Sequence, residues 1–416
     1  MQAIIMAGGL GTRLKTITED LIPKSMVSIC GKPLLWWQIK NLHDNGVDNI
    51  IVVTGYLSEC ILQSEELHEF HNFVKYYEEE KPLGTAGALK RLDNKGLLEE
   101  DFIFVYGDLF FDVDFESMIL YHADNACQGT MFVHPNSHPY DSNIIIVNQH
   151  ALVEDIIPKN DKIGNWYHNR TSAGIYIFNR AIIDFFPDEE RVDLEKQVLP
   201  NLQYLYSYWS TEYVKDIGTS ARYYQVCKDV QRHIPEKRNF KRPQKAIFLD
   251  RDGTINYDNG LIYKEEQFVL YPWAAKAIRL INDSEYLAIV VTNQSVVARG
   301  LCTIEDVETI HKKMETQLGH DGAYLNDILY CPHHPDKGYE GENPIYKVEC
   351  QCRKPNPGML KVCKWLYHVD LSQSFLIGDT DRDRQTAYNA GVRPVIIHED
   401  AENLLDAVYL ILGDEL

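Results

Sequence analysis

Apolar positions along the chain gather into short unbroken runs, and between these runs the apolar residues recur with helical spacing. In the first half, AIIMA, NIIVVTG, FIFVYGD, NIIIVN and AGIYIFN have the length of strands, and LLWWQIKNLHDNG has the spacing of a helix closed by glycine. Strands without polar alternation suit a parallel sheet that is covered on both faces. The first half is therefore predicted to be an α/β domain.

The same alternation begins again near residue 245, with AIFLD, YLAIVVTN, SFLIGD and RPVIIH as strands and a helix around residues 274–281. Between the two patterns lies HIPEKRNFKRPQ, which is polar and basic and carries two prolines, as a linker does. A chain of 416 residues also exceeds the usual size of one core. We predict two α/β domains, each a mainly parallel sheet flanked by helices, at residues 1–232 and 244–416, with a linker at 233–243.

The composition limits the kinds of partner and the compartment that we expect for this protein. A formal net charge of −20 argues against a nucleic-acid or membrane surface, because such surfaces require basic patches. No apolar stretch of membrane-spanning length occurs, and the N-terminus has no charged segment typical of a signal peptide. The nine cysteines are odd in number and mostly scattered, which indicates reduced thiols in a cytoplasm. We expect a cytoplasmic protein with small-molecule substrates; homo-oligomerisation stays open.

The first predicted strand runs directly into GGLGTR. Gly8, Gly9 and Gly11 allow the backbone to curl so that its N–H groups face a triphosphate, and Arg13 adds positive charge. A glycine loop alone fits a tight turn as well as a phosphate site. Ten residues later, PKSM brings Lys24 within reach of the same pocket.

These two segments, in this order, resemble the sugar-phosphate nucleotidylyltransferases over about residues 1–230. The resemblance implies nucleotide binding by Gly8, Gly9, Gly11, Thr12, Arg13, Gly84, Thr85 and Gly87. It implies magnesium ligands at Asp108 and Asp216, and sugar-phosphate contacts at Lys159, Gly174 and Glu195. Lys159 departs from the family pattern, because Pro158 precedes it where the family often has glutamate.

The reaction implied is attack of a sugar 1-phosphate on the α-phosphorus of a nucleoside triphosphate. Since both reactants are strongly anionic, positioning and charge neutralisation are the main task. Mg²⁺ on Asp108 and Asp216 would hold the α-phosphate. Arg13 would steady the leaving pyrophosphate, and Lys24 and Lys159 would grip the phosphates. Arg13 and Lys24 are the residues that we expect to be catalytic.

The second half opens with FLDRDGT, which places Asp250 and Asp252 two residues apart after a strand. Two converging carboxylates repel each other unless a cation or a proton relieves them. One could attack phosphorus while the other donates a proton to the leaving oxygen. An acidic turn is the alternative reading of two such aspartates.

FLDRDGT after an apolar strand resembles the first motif of the haloacid-dehalogenase (HAD) phosphatases, and further motifs follow in order. The resemblance implies that Thr292, Asn293, Arg353 and Lys354 surround the transferring phosphoryl group. It implies that Asp250, a backbone carbonyl at Asp252, and Asp379 bind Mg²⁺, with Asp383 as a supporting carboxylate. Asp250 would form a covalent aspartyl-phosphate.

Between these motifs, Cys331, His333, Cys350 and Cys352 form two tight pairs. Three thiolates and one imidazole make a complete tetrahedral Zn²⁺ set, so we predict a structural zinc. His334 is the spare histidine, which we expect to form hydrogen bonds rather than bind the metal.

This zinc loop without a large cap resembles the heptose bisphosphate phosphatases and the related histidinol phosphatases. Arg299 could bind a distal phosphate, although Val296 stands where those enzymes usually have glycine. The first half in turn resembles the heptose 1-phosphate guanylyltransferases, so one domain would supply the other's substrate. Two alternatives stay open: a hexose 1-phosphate nucleotidylyltransferase using UTP, dTTP or CTP fused to another small-molecule phosphatase, or a chain in which one half is a non-catalytic sensor.

Overall fold

The structure is a computed structural model, and it describes residues 1–9, 14–125, 127–161, 164, 166–338 and 340–413. The chain divides into two compact units. The first comprises Met1–Val133, Ile145–Ile156 and Ser172–Asn239, and the second comprises His134–Ile144, Ile157–Thr171 and Phe240–Leu416. Two segments of the first half of the sequence thus belong to the second unit.

The strands of the first half are β1 (Gln2–Met6), β2 (Ser28–Ile29), β3 (Lys32–Pro33), β4 (Asn49–Thr54), β5 (Val74–Glu78), β6 (Asp101–Tyr106), β7 (Leu109–Asp112), β8 (Gly129–His134), β9 (Ile144–Val147), β10 (Val153–Ile157), β11 (Thr171–Asn179), β12 (Leu205–Trp209) and β13 (Tyr213–Asp216). The helices there are α1 (Lys15–Thr18), α2 (Leu34–Asp44), α3 (Ser58–Leu62), α4 (Gly84–Asn94), α5 (Phe115–Asn125), α6 (Ser220–Gln231) and α7 (Ile234–Lys237).

A nine-stranded sheet forms the centre of the first half. Seven strands follow the order β10-β9-β11-β6-β1-β4-β5, and off this path β8 pairs with β11 and β12 pairs with β8. The strands β6, β1, β4 and β5 are parallel, whereas β11 runs antiparallel to β6. The side chains of β1 are buried from residue 2 to residue 5, as expected for a strand covered on both faces. The predicted strands and the helix before Gly46 are confirmed, since all five apolar runs are strands and α2 spans the predicted helix.

The second half contains the strands β14 (Lys245–Leu249), β15 (Tyr286–Asn293), β16 (Asp327–Cys331), β17 (Phe375–Gly378) and β18 (Arg393–Ile396), and the helices α8 (Ala274–Asn282), α9 (Ile304–His320), α10 (Gly358–Leu366), α11 (Asp381–Ala390) and α12 (Leu404–Leu412). Its five-stranded sheet has the order β16-β15-β14-β17-β18 and is parallel throughout. The predicted second α/β sheet is confirmed.

The segment predicted as a linker is partly folded. Residues 234–237 form α7, and Ile234 packs in a core cluster of the first unit. Asn239 donates to the carboxylate of Asp112 at 2.6 Å, so the first unit continues to Asn239. Ile234 and Asn239 thus attach this basic segment to the first unit. Within the described residues, no helix is long and apolar enough to cross a membrane.

Two candidate active sites

The first unit contains a cavity of about 550 Å³ where β1 and β6 end. Several residues predicted from the sequence line it, namely Gly8, Gly9, Lys24, Gly84, Thr85, Asp108 and Glu195. The predictions for Gly11, Thr12 and Arg13 lie outside the described residues. Because the carboxyl ends of neighbouring parallel strands meet at one edge of a sheet, loops from distant parts of the sequence converge here.

A charged pair lies in this cavity. The ammonium group of Lys24 is 2.5 Å from Oδ2 of Asp108, which lies in the turn between β6 and β7. The antiparallel pairing of β7 with β13 brings Asp216 opposite Leu109, and the Ile217 N–H donates to the Asp108 carbonyl at 2.9 Å. The two aspartates that we predicted as magnesium ligands are therefore neighbours across a two-stranded ladder.

Asp216 is held by its own surroundings. Both carboxylate oxygens accept from Nη1 of Arg222, at 2.8 and 2.9 Å, and Oδ1 also accepts from the Gly218 N–H at 2.8 Å. Mg²⁺ commonly binds to one or two carboxylates and completes its shell with substrate phosphates and water. The donor set of Asp108 and Asp216 fits such an ion.

Gly84 and Gly87 shape the rim of the cavity by allowing close packing. Gly84 has a φ of +81°, and a Cβ there would lie 2.4 Å from the Val192 carbonyl oxygen. A Cβ at Gly87 would lie 2.9 Å from the Glu190 carbonyl oxygen. Gly174, with a φ of +77°, is packed equally closely against the ring of Tyr106. Gly87 and Gly174 are not among the described residues that line the cavity, so their predicted contacts with nucleotide and sugar stay predictions.

Glu195 lies in a π-helical turn, Leu194–Val198, and accepts from the Tyr176 hydroxyl at 3.3 Å. Burial, together with the charges of Asp193 and Asp108, raises the pKa of Glu195. The predicted contact of Glu195 with the sugar stays a prediction.

Sequence reasoning missed Glu79, which also lines the cavity. Its Oε1 is buried and has no hydrogen-bond partner among the described residues. Burial raises the pKa of Glu79, while a backbone hydrogen bond at Leu83 opposes the shift. Glu79 lies in the acidic run YYEEEKP, so its charge did not distinguish it from its neighbours. Its position next to the PLGTAGAL motif is the signal that could have identified it.

Lys159 belongs to the second unit and forms an ion pair with Asp141, at 2.7 Å, between two exposed side chains. It is not among the residues that line the cavity of the first unit. The predicted phosphate contact of Lys159 therefore gains no support from its described contacts and stays a prediction.

The second site lies at the carboxyl ends of β14, β15 and β17, which are adjacent parallel strands. Asp250 follows β14, Thr292 and Asn293 end β15, and Asp379 follows β17. The almost fully buried Lys354 places Nζ 2.8 Å from Oδ2 of Asp250 and 2.6 Å from Oδ1 of Asp383. The predicted phosphatase residues thus converge.

Asn293 and Thr292 hold this site together. The Asn293 side chain exchanges two hydrogen bonds with the backbone of Lys354, at 3.1 and 3.0 Å. Thr292 is buried, and its hydroxyl accepts from Nε2 of Gln294 at 3.0 Å.

The second site also fits a divalent cation. One carboxylate oxygen from each of Asp250, Asp379 and Asp383 lies within 4.8 Å of the others. Burial and the neighbouring Asp383 raise the pKa of both Asp250 and Asp379, with Lys354 opposing. Crowded carboxylates that resist ionisation are relieved by a hard cation, and oxygen donors are what Mg²⁺ prefers.

Asp383, predicted as a supporting carboxylate, pairs with Lys354. Burial would raise its pKa, but the charge of Lys354 outweighs burial and lowers it. The Thr380 hydroxyl donates to Oδ2 of Asp383 at 2.6 Å. Gly253, with a φ of +82°, approaches the site so closely that a Cβ would lie 2.1 Å from Oδ2 of Asp379.

The Asp252 carboxylate accepts hydrogen bonds from three side chains. Arg251 donates from Nε to Oδ1 and from Nη2 to Oδ2, both at 3.0 Å. Asn256 donates to Oδ1 at 3.0 Å and Gln294 to Oδ2 at 2.9 Å. Burial alone would raise the pKa of Asp252, but the Arg251 charge and these hydrogen bonds lower it. Arg251 lies between the two motif aspartates in sequence, yet no role was predicted for it.

The predicted zinc ligands form a compact cluster. The sulfur of Cys331 is 3.5 Å from that of Cys350 and 3.3 Å from that of Cys352, and Nδ1 of His333 is 3.3 Å from the Cys352 sulfur. Zn–S bonds of ~2.3 Å at tetrahedral angles place sulfurs about 3.8 Å apart, so the cluster fits Zn²⁺ with little movement.

Cationic side chains lie next to the cluster. Nη2 of Arg299 is 3.3 Å from Nε2 of His334, and Arg353 donates to the His333 carbonyl at 3.0 Å. Burial and the charges of Arg353 and Arg299 lower the pKa of His334. His334 is outside the cluster of metal donors and accepts from the Asp336 N–H at Nδ1, 3.2 Å away, as a hydrogen-bonding spare would.

Comparison with known proteins finds separate relatives for the two halves of the sequence. A family profile described as nucleotidyl transferase matches residues 2–233, and one described as HAD-hydrolase-like matches residues 351–407. The D-glycero-β-D-manno-heptose-1,7-bisphosphate 7-phosphatase of Rhodopseudomonas palustris is 41% identical over 152 residues, 36% of this chain and 81% of that protein. The protein of the same name from Salmonella typhi is 38% identical over 176 residues, 41% of this chain and 92% of that protein.

Two solved structures are similar to separate halves. HddC from Yersinia pseudotuberculosis is 28% identical with a TM-score of 0.47, covering 55% of this chain and 99% of HddC. The D,D-heptose 1,7-bisphosphate phosphatase of B. bronchiseptica, solved with magnesium and phosphate, is 31% identical with a TM-score of 0.36, covering 41% and 99%.

A nucleotide-sized cavity in one α/β unit and a carboxylate–lysine centre in another define an enzyme with two phosphate-handling sites. Because the matches span more than half of this chain on one side and nearly all of a phosphatase on the other, the chain belongs to the nucleotidyl transferase family and, in its second half, to the family of the HAD-type phosphatases that it matches. It is a fusion of a nucleotidyltransferase with a phosphatase.

Proposed function

We propose that the second unit removes the 7-phosphate of D-glycero-D-manno-heptose 1,7-bisphosphate, and that the first unit transfers GMP from GTP to the resulting heptose 1-phosphate. The products would be GDP-heptose and pyrophosphate. The convergence of Asp250, Lys354 and Asp379 beside the cationic Arg299 and Arg353 carries the proposal, because a bisphosphate needs charge at two places. The heptose assignment follows the curated relatives, whose names give that substrate.

In the phosphatase step, an oxygen of Asp250 attacks phosphorus and the bond from phosphorus to O7 of the sugar breaks. Asp252 donates a proton to that oxygen, since the adjacent phosphate charge raises its affinity for a proton. The positive charge of Lys354, which lies within 2.8 Å of both Asp250 and Asp383, reduces the repulsion between these two carboxylates. Water then cleaves the aspartyl-phosphate, with Asp252 taking a proton back. Mg²⁺ on Asp250 and Asp379, when bound, neutralises the phosphoryl oxygens.

In the transferase step, a phosphate oxygen of heptose 1-phosphate attacks the α-phosphorus of GTP, and the bond to the β-phosphate oxygen breaks. Lys24 lies beside Asp108 at the end of β6, where its ammonium group would contact a phosphate oxygen of the substrates. Glu195 would accept hydrogen bonds from sugar hydroxyls. Asp108 and Asp216 would hold a Mg²⁺ ion, which would neutralise negative charge on the α-phosphate.

The choice of guanine is supported by Glu79. Its Oε1, which has no hydrogen-bond partner among the described residues, is an acceptor in the cavity, and guanine offers adjacent N1–H and N2–H₂ donors on one edge. A uracil or thymine edge presents a single N–H between two carbonyl acceptors, which a carboxylate opposes.

The test supplies the full chain with the α and β anomers of heptose 1,7-bisphosphate, with GTP, UTP, dTTP or CTP, and with Mg²⁺. Products are identified by mass. We expect GDP-heptose, and we expect the α anomer to be used, although the curated relatives are named for the β anomer. Formation of a nucleotide-hexose from hexose 1-phosphate alone, or of no nucleotide sugar at all, would refute the assignment.

A further inference from the structure

Arg251 is completely buried, and every contact that holds its guanidinium is made to an acceptor. Nε and Nη2 donate to the two oxygens of Asp252, and Nη2 also donates to Oε1 of Gln294 at 2.9 Å. The remaining nitrogen, Nη1, lies 3.2 Å from Nε2 of His311. In the part of the chain that the structure describes, no other acceptor is recorded for Nη1.

The contact with the Arg251 guanidinium determines the tautomer of His311. A guanidinium only donates, so Nε2 must accept and the proton of the neutral ring must be on Nδ1. Burial first, and then the charge of Arg251, lower the pKa of His311 to about 3, which agrees with a neutral ring. His311 is on the buried face of α9, with its ring 5.0 Å from that of Tyr330 in an edge-on arrangement.

The arrangement constrains Arg251 from both ends. Asp252 takes one edge of the planar guanidinium through two donors, and His311 takes the nitrogen on the other side. Without an acceptor at His311, Nη1 would be buried and unpaired, and the guanidinium would rotate or move to find a partner. Such a movement would turn the Asp252 carboxylate away from the leaving oxygen.

We propose that His311 is a positioning residue for proton transfer at Asp252 and acts through Arg251. The inference rests on the proposed function, in which Asp252 protonates the leaving oxygen of the phosphoester. Its consequence is selective: an alkyl leaving group, such as a sugar alcohol, needs that proton, whereas a nitrophenolate leaves without it.

The experiment measures phosphate release by the full-length enzyme from β-glycerophosphate and from p-nitrophenyl phosphate. For His311→Leu and His311→Asn, which place no acceptor where Nε2 lies, we expect kcat on the alkyl ester to fall about 10²-fold. KM and the aryl ester rate should change little. His311→Gln should restore most of the alkyl activity, because its amide oxygen reaches the position of Nε2.

Met314→Leu is the matched control. Met314 is a fully buried residue of the same helix that packs in the hydrophobic core, so it reports a general loosening of α9. It should not alter the ratio of alkyl to aryl activity. An equal loss on both esters in His311→Asn, or failure of His311→Gln to restore the ratio, would overturn the inference.

Asp252→Asn distinguishes a failure of the positioning role of His311 from a failure of the acid role of Asp252. If it loses alkyl activity selectively and the His311 variants do not, the positioning role is wrong while the proposed chemistry stands. If Asp252→Asn shows no such selectivity, the acid assignment is itself wrong, and the inference falls with it.

Discussion

Gly253 and Asp379 approach each other so closely that any side chain on Gly253 would occupy the place of the Asp379 carboxylate. A Cβ built on Gly253 would lie 2.1 Å from Oδ2 and 2.6 Å from Cγ of Asp379. The backbone turn that follows Asp250 and Asp252 is therefore shaped around the carboxylate at the end of the neighbouring strand. This contact positions the motif loop against the clustered carboxylates of Asp250, Asp379 and Asp383.

We expect Gly253→Ala to abolish phosphate release, because Asp379 must move out of the metal position. Gly260→Ala is the matched control, since Gly260 has nearly the same φ, +84° against +82°, but no atom within 4 Å of its Cβ position. Both changes incur the left-handed backbone penalty of about 1–2 kcal/mol, which thermal unfolding would measure. Comparable phosphatase rates for the two variants would contradict the role of the contact.

The two sites should fail independently. Asp250→Asn should stop phosphate release from heptose 1,7-bisphosphate while leaving pyrophosphate release from GTP and added heptose 1-phosphate intact. The reciprocal variant, Lys24→Ala, should do the opposite, because Lys24 lies in the cavity of the first unit. Equal loss of both activities in either variant would refute the independent-site arrangement.

The cysteine cluster should bind about one zinc per chain. Cys352→Ser should lose the metal and lower the unfolding temperature, because the remaining donors cannot close a tetrahedral set. Metal analysis and thermal unfolding measure both effects. Cys302→Ser, a half-buried cysteine outside the cluster, is the control and should retain the zinc. Full metal content in Cys352→Ser would contradict the assignment.

Base selection should depend on the charge of Glu79. Glu79→Gln adds a donor where guanine presents donors, so kcat/KM for GTP should fall by about 10- to 100-fold, corresponding to ~1–3 kcal/mol for an unpaired buried group. The rate with UTP should fall less. Glu80→Gln, which changes an exposed neighbour by the same chemistry, should leave the preference unchanged. An unaltered ratio of GTP to UTP in Glu79→Gln would exclude this role.

His168 gives the second unit a predictable pH dependence. Its Nδ1 is 2.6 Å from Glu315 and its Nε2 is 3.3 Å from Glu308. Burial opposes protonation and Arg170 adds to that opposition, but the Glu315 charge and the hydrogen bonds to both carboxylates outweigh them and raise the pKa of His168.

Because the folded pKa of His168 lies above the unfolded value of ~6.5, its contribution to stability is complete below that pH and is lost as the pH rises through the folded pKa. We expect the difference in unfolding temperature between wild type and His168→Gln to shrink as the pH rises through this window. His320→Gln, an exposed histidine of α9, is the control. A difference that grows with pH would reverse the assigned sign.

Much of the fold was predictable because its signals are local. Each apolar run became a strand, and the motif aspartates came at strand ends, where parallel topology gathers them. The roles that we propose for Glu79 and His311 were not predictable in this way. Glu79 sits in an acidic run and His311 in an amphipathic helix, and both acquire a role only from distant residues that bury them.

The sequence by itself determined the two α/β sheets, the chemical class of each site and the clustering of Cys331, His333, Cys350 and Cys352, since apolar runs and closely spaced motifs encode short-range geometry. Tertiary structure alone decided that residues 134–144 and 157–171 join the second unit. It also decided that Arg222 pairs with Asp216 and that His311 faces Arg251. The physical reason is that burial, charge pairing and donor–acceptor complementarity depend on atoms far apart in the chain, and only packing brings those atoms within hydrogen-bond distance.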